Sequence, residues 1–390
     1  MLDFEFCSPT TFYFGRNAEA KTGAAVRKFG GTRVLIHYGS QSAKKSGLVD
    51  RVRSSLDAEG LYSVELGGVV PNPRLELVYQ GIELARKERI DFILAIGGGS
   101  VIDSAKAIGM GVVTDGDVWD FFTGKALPKA MLPVGSVLTI PAAGSEGSLS
   151  VVISSDGGRN KRGLNHPVLR PVFAIMNPEL TMSLPPYQTA CGISDMMAHI
   201  IERYLSNTTE VELTDRLCEG ALKAIIHEAP LVIADPNHYG ARANLMWAGT
   251  LAHSDIMGVG REQDWASHRM GHQLSALYDA AHGASLSVML PAFMRYTLPY
   301  GINRYAQFAV RVFDCDYDFE HPERTAAQAV DRLIAFYRSI GLPTTLGEIG
   351  AREEDIPMMT RTIQMHRDNQ LGNFHPLGYE DIEQVYRLAL

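Results

Sequence analysis

At 390 residues the chain exceeds what one ordinary hydrophobic core serves, so two domains are expected. Its 46% hydrophobic and 21% charged content are those of a globular protein, and a net charge of -8 argues against a nucleic-acid binder, which needs clustered Lys and Arg to meet phosphate. Four scattered cysteines without a CxxC pair read as free thiols, the first fifteen residues lack the basic and apolar regions of a signal peptide, and no apolar run reaches the roughly 18 residues of a membrane span, so a cytoplasmic protein with no membrane partner is expected.

The first half alternates strand-like and helix-like segments. A short β-rich run at 33–37 (RVLIH) breaks at Gly39-Ser40, and 46–59 has the period of an amphipathic helix. An extended piece at 61–66 leads to Pro71-Asn72-Pro73, and 75–87 is again helical in period. Residues 91–96 (DFILAI) form a continuous apolar run, as suits a strand buried on both faces; Gly97-Gly98-Gly99-Ser100 follows, then a helix from Val101. A further strand is expected at 134–140. This succession predicts a mostly parallel sheet with helices on both sides, a Rossmann-like arrangement. After Pro185-Pro186 the texture changes to long segments rich in Ala, Leu, Met and Glu: 189–205, 211–234, 240–252, 264–278, 299–313, 324–340 and 380–388 all suit helices. The expected organisation is an α/β domain over 1–185 and an all-helical domain over 186–390.

Three turns that follow predicted strands carry ligand-binding chemistry. Gly97, Gly98, Gly99 and Ser100 open a helix, where glycines allow close backbone approach and free N–H groups face an anion such as a pyrophosphate. The motif is neither GxGxxG nor a Walker loop, and a tight turn with nothing bound is the alternative. A second polar turn spans 139–148 (TIPAAGSEGS); two such turns at strand ends would face one crevice. The first turn, 38–45, has no carboxylate to hold the ribose of NAD; its small hydroxyl residues with Lys44 and Lys45 could take a 2′-phosphate, which favours NADP(H) over NAD(H).

Residues 264–291 hold three histidines, His268, His272 and His282. The first two are four apart and share a helix face, so spacing alone pairs them as ligands. Asp195 and His199, also four apart, lie among Met196, Met197, Ile200 and Ile201, where a carboxylate is costly to bury unpaired; a local Asp–His pair without metal is the alternative. One carboxylate with imidazoles suits Zn(II) or Fe(II) and not Ca or Mg. The aromatics Trp265 and Tyr278 could shape a substrate pocket or serve helix packing.

At these residues the chain resembles the iron-containing (group III) alcohol dehydrogenases, particularly the NADPH-dependent aldehyde reductases and butanol dehydrogenases. The motifs are FYFGRN at 12–17, GGGSVIDSAKAI at 97–108, NPELTMSLPP at 177–186, GISDMMAHIIE at 192–202 and QDWASHRMGHQLSALYDAAHG at 263–283. The resemblance implies a dinucleotide-binding α/β domain followed by a helical one, a dehydroquinate synthase-like architecture. It implies that Asp195, His199, His268 and His282 ligate a metal, and that His272 lies near the metal without ligating it. It implies that Gly97, Gly98, Gly99 and Ser100 bind the pyrophosphate with Asp103 beside them, and that Thr139, Ser145 and Lys161 meet the nucleotide. Gly39 and Ser40 stand where other branches carry an NAD-selecting Asp. Asn177 replaces the aspartate of the family's DPEL, and the family's GTGSE-like turn reads AGSEG at 143–147. The implied activity is reversible hydride transfer between NADP(H) and an alcohol/aldehyde pair, by a homodimer. A dehydroquinate synthase-like lyase, a glycerol-type polyol dehydrogenase and a non-catalytic dinucleotide or metal sensor are the rival readings.

Overall fold

The computed structural model describes residues 1–39, 42–155, 157, 160–366 and 368–390. The chain forms two compact units, Cys7–Leu184 and, together, Met1–Phe6 with Pro185–Leu390.

The first unit contains strands β1 (Thr11–Phe14), β2 (Arg33–Gly39), β3 (Tyr62–Val69), β4 (Phe92–Gly97), β5 (Val134–Leu138), β6 (Ser150–Ser155), β7 (Asn160–Asn165) and β8 (Phe173–Met176). Six of them make one sheet in the order β1-β8-β5-β4-β2-β3, every pairing parallel. Helices α1 (Thr22–Lys28), α2 (Ser42–Lys45), α3 (Leu48–Ala58), α4 (Leu75–Lys87), α5 (Gly99–Val112) and α6 (Trp119–Phe122) connect the strands. The continuous apolar run is β4, and all six of its residues are buried, as a central parallel strand requires. In α4 the buried Leu75, Val78, Ile82 and Ala85 follow helical spacing and leave the charged residues on the other face. Strand order reverses between β2 and β4, so the crevice of this sheet opens at their C-terminal ends, beside Gly39 and Gly97. The antiparallel β6–β7 pair was not evident in the sequence, because β7 (NKRGLN) is polar and has no apolar alternation.

The second unit is helical: α7 (Pro186–Tyr204), α8 (Glu212–Ala234), α9 (Tyr239–Ala252), α10 (Ala266–Tyr278), α11 (His282–Thr297), α12 (Ile302–Phe313), α13 (Pro322–Ser339), α14 (Ile356–Thr362) and α15 (Tyr379–Leu388). Pro186 occupies the first turn of α7, where its missing N–H costs nothing. From Thr189 to Tyr204 every residue of α7 is buried. A helix buried on all sides must find partners for each polar group it carries, and α7 carries the candidate ligands. Arg261, fully buried, donates to the Arg203 carbonyl at 3.2 Å and pairs with Asp215 at 2.8 Å, which fixes the loop leading into α10. Met1–Phe6 group with this unit and not with the α/β domain to which the sequence reading assigns them: the Met1 amino group donates to Thr209 O and the Leu2 N–H to Gly260 O, both at 2.8 Å. The fold class is as expected, a parallel α/β unit and an all-helical one. No helix among the described residues is long and apolar enough to cross a membrane.

Candidate functional site

Asp195, His199 and Glu202 lie at i, i+4 and i+7 on α7 and so share one face. Asp195 Oδ1 is the point on which three imidazoles converge: His199 Nε2 at 3.5 Å, His268 Nε2 at 3.7 Å and His282 Nε2 at 3.7 Å. Four ligands bound at ordinary Zn–N and Zn–O lengths around a tetrahedral ion stand about 3.4 Å from one another. Asp195, His199 and His268 are buried, and His282 is about a quarter exposed, with its side chain at 26%. Asp195 Oδ1 and His268 Nε2 have no hydrogen-bond partner among the described residues, and 3.7 Å between them is too long for one. Two buried, orphaned polar atoms facing one another are costly unless a cation lies between them. The ligand atoms of Asp195, His268 and His282 all lie within 4.8 Å of one another, His199 Nε2 stands 3.5 Å from Asp195, and a carboxylate oxygen with imidazole nitrogens suits Fe(II) or Zn(II).

The electrostatics agree with that fit. Burial pushes His199 well below the usual imidazole range, and neighbouring His253 and His268 push it further, so it is neutral and its nitrogen lone pair is available. Burial also opposes charge on His268, but Glu202 and Asp195 beside it outweigh burial and raise it to about 9. Bound metal would replace the proton that these carboxylates otherwise attract.

The candidate ligands are held from behind. Glu202, fully buried, pairs with His268 Nδ1 and accepts Ser267 Oγ–H at 2.6 Å and the His268 N–H at 3.0 Å. This is a carboxylate–histidine arrangement that fixes the ring and raises its basicity as a ligand. The His199 ring stacks on His253 at 4.2 Å between centroids and meets the Trp265 ring edge-on at 5.6 Å. Arg203 donates to the His199 carbonyl at 2.8 Å and lies over the Trp265 ring at 4.6 Å. Trp265 therefore packs against His199 and His268, while Tyr278 donates to Asp355 at 2.5 Å. His272, half-buried one turn after His268, has its ring 5.2 Å from His282 and 6.4 Å from His268. Sequence reasoning did not single out Glu202, although a glutamate seven residues after Asp195 in an apolar run (HIIE) was the available signal. It also passed over His253, which had no motif to mark it.

In the α/β unit the structure brings several of the predicted nucleotide residues together. Gly97 ends β4, Gly98 precedes α5, and Gly99 and Ser100 begin it. The Thr139 N–H donates to Gly97 O at 3.1 Å. A Cβ on Gly98 would stand 2.9 Å from Ile140, and one on Gly99 would lie 3.9 Å from Ser145, so the two turns are in contact. Ser145 Oγ–H donates to Asp103 at 2.5 Å. Gly39 closes β2, where a Cβ would be 3.9 Å from Val101 at the start of α5. Lys161 on β7 donates to Asn72 at 3.1 Å and lies within electrostatic reach of Asp103. Ser40 lies outside the described residues.

Residues 9–178 match the family described as Iron-containing alcohol dehydrogenase, and residues 189–390 match the Fe-containing alcohol dehydrogenase family, C-terminal. The chain belongs to the iron-containing alcohol dehydrogenase family. It is an oxidoreductase. It is 37% identical, over all of both chains, to the probable NADH-dependent butanol dehydrogenase 2 of Bacillus subtilis, and 34% identical, again over all of both, to the NADPH-dependent aldehyde reductase YqhD of Escherichia coli. The crystal structure of NADH-dependent butanol dehydrogenase A from Thermotoga maritima superposes with a TM-score of 0.96 at 36% identity, covering 100% of this chain and 99% of that one. A nicotinamide cofactor and a metal follow from the family.

Proposed function

We propose that this member of the family transfers hydride reversibly between NADP(H) and an alcohol/aldehyde pair, favouring aldehyde reduction, with one Fe(II) or Zn(II) held by Asp195, His199, His268 and His282. The observation that carries the reading is the convergence of three imidazole nitrogens on the buried Asp195 Oδ1 at 3.5–3.7 Å. When bound, the ion supplies Lewis-acid stabilisation of charge on the substrate oxygen. His272, half-buried beside His282, is assigned the handling of the proton at that oxygen. Gly97, Gly98, Gly99 and Ser100 hold the pyrophosphate at the start of α5, and Thr139, Ser145 and Lys161 complete the nucleotide contacts.

The preference for NADP(H) rests on β2, which ends at Gly39 without a carboxylate, and on Lys44 and Lys45, exposed on α2 just beyond. Lys44 lies 3.3 Å from Glu65, so Lys45 is the freer cation for a 2′-phosphate. Relatives named for NADH and for NADPH are similar to this chain at 37% and 34%, so the preference is argued from these residues and not from identity. A homodimer in the cytoplasm is part of the proposal, and light scattering on the purified protein tests the oligomer.

The test is NADPH and NADH oxidation with a panel of aldehydes, alongside elemental analysis of the protein. Net NADPH oxidation that requires the metal is expected. Full activity without metal would overturn the ligand assignment. Turnover without net NADPH consumption would favour a lyase, and binding of metal and nucleotide without turnover would favour a sensor.

A further inference from the structure

Lys106 is fully buried in α5, although lysine is almost never buried without partners. Its ammonium donates to Ser150 O at 2.8 Å and Ser148 O at 3.1 Å, and lies 3.5 Å from Ser148 Oγ. One turn earlier on the same helix, Asp103 accepts Ser145 Oγ–H at 2.5 Å and the Val152 N–H at 2.9 Å. Arg170, also buried, donates to Gly147 O at 2.5 Å. Two buried cations and one half-buried carboxylate thus fasten the segment from Ser145 to Val152 at both ends and in the middle. Glu146, 2% exposed, lies within electrostatic reach of Lys106 and balances the charge.

We infer that Lys106 is a positioning residue for the dinucleotide, pinning the second turn against α5 so that it and the Gly97–Gly99 turn form one preorganised surface. The segment it holds contains Gly147 and three serines and follows Gly144, and such a chain loses much conformational entropy when ordered. If the brace were absent, nucleotide binding would have to supply that ordering itself, and affinity would fall. This inference rests on the proposed nucleotide role of the two turns.

The experiment compares dissociation constants for NADPH and NADH, by fluorescence titration, in the wild-type enzyme, Lys106→Met and Gly98→Ala. Lys106→Met keeps the unbranched apolar stem but removes the terminal ammonium, leaving the carbonyls of Ser148 and Ser150 without their donor. Weakening of both nucleotides by about tenfold or more is expected, with the loss appearing in KM for nucleotide rather than in kcat. Should Lys106→Met fail to fold, Lys106→Gln retains a shorter neutral donor and is expected to weaken binding less. Wild-type nucleotide affinity in Gly98→Ala would overturn the nucleotide reading itself. Weakened binding in Gly98→Ala with wild-type affinity in both Lys106 variants would overturn the brace alone. So would a lowered unfolding temperature with no change in dissociation constant or in the KM-to-kcat split, because that is the signature of a purely structural lysine.

Discussion

Gly283 lies against the backbone of Cys191 so closely that a Cβ on it would stand 1.9 Å from the Cys191 carbonyl oxygen. Gly283 follows His282, and Cys191 is one turn before Asp195 on α7. No side chain fits between these two helices here, and their close approach is what sets His282 Nε2 3.7 Å from Asp195 Oδ1. Gly283→Ala must therefore push the start of α11 away from α7. A displacement of about 1 Å is enough to cost on the order of 100-fold in rate. Reduced metal content and a loss of kcat of at least about tenfold are expected, with nucleotide affinity retained; elemental analysis, steady-state kinetics and a nucleotide titration check the three together.

Glu202 touches His268 and would act on a bound metal through it. Its replacement by Gln keeps the size and one acceptor oxygen but removes the charge from a buried group that touches His268 Nδ1, Ser267 Oγ and the His268 N–H. Metal affinity is expected to fall by about 10–100-fold, as for other outer carboxylates behind a ligating histidine. Competition against a chelator of known affinity reads this directly, and an unchanged circular dichroism spectrum would show that the fold persists.

His268 and His272 sit one turn apart on α10, yet their substitutions are expected to differ in kind. His268→Ala removes a group facing Asp195 Oδ1 at 3.7 Å and should abolish both metal retention and turnover while leaving NADPH bound. His272→Asn should retain the metal and lower kcat by about 100-fold, the scale of lost general acid–base assistance. Removing the metal from the wild-type enzyme with a chelator should reproduce the first result and not the second, and re-addition of Fe(II) or Zn(II) should restore activity.

The acid limit of stability is expected to depend on His37, far in sequence from the proposed metal ligands. His37 is fully buried on β2, with Nδ1 2.8 Å from Leu66 O and Nε2 2.8 Å from Ser104 Oγ. Burial lowers it from the usual 6.5 to about 4, against the raising influence of the Leu66 carbonyl. Between these two values the unfolded chain takes up a proton that the folded chain does not. Stability therefore falls as pH drops from 6.5 towards 4 and then levels, by on the order of 3 kcal/mol in total from this group. Urea denaturation across this window should show the slope, and His37→Asn should flatten it.

Much of the organisation is legible in the sequence because it is encoded locally. The apolar run at 91–96 and the glycines after it require a buried strand and a tight entry into a helix, and the structure has β4 and α5 there. The 3.6-residue period at 75–87 is α4 to the residue. Asp195, His199 and Glu202 share a face by helix geometry alone, so half of the site can be drawn from spacing. What spacing leaves open is which groups lie across from that face. It pairs His268 with His272, since both project from one side of one helix, and it took the family resemblance to separate them. The helix α11 and the antiparallel β6–β7 pair were not read from the sequence, and for the pair the reason is that the polar β7 carries no apolar alternation. Only the tertiary structure brings His268 and His282 to Asp195, sets Glu202 behind His268 and lays residues 145–152 over Lys106. Each of these depends on packing between elements distant in sequence, where the decisive quantity is how closely two backbones approach and not the periodicity of either.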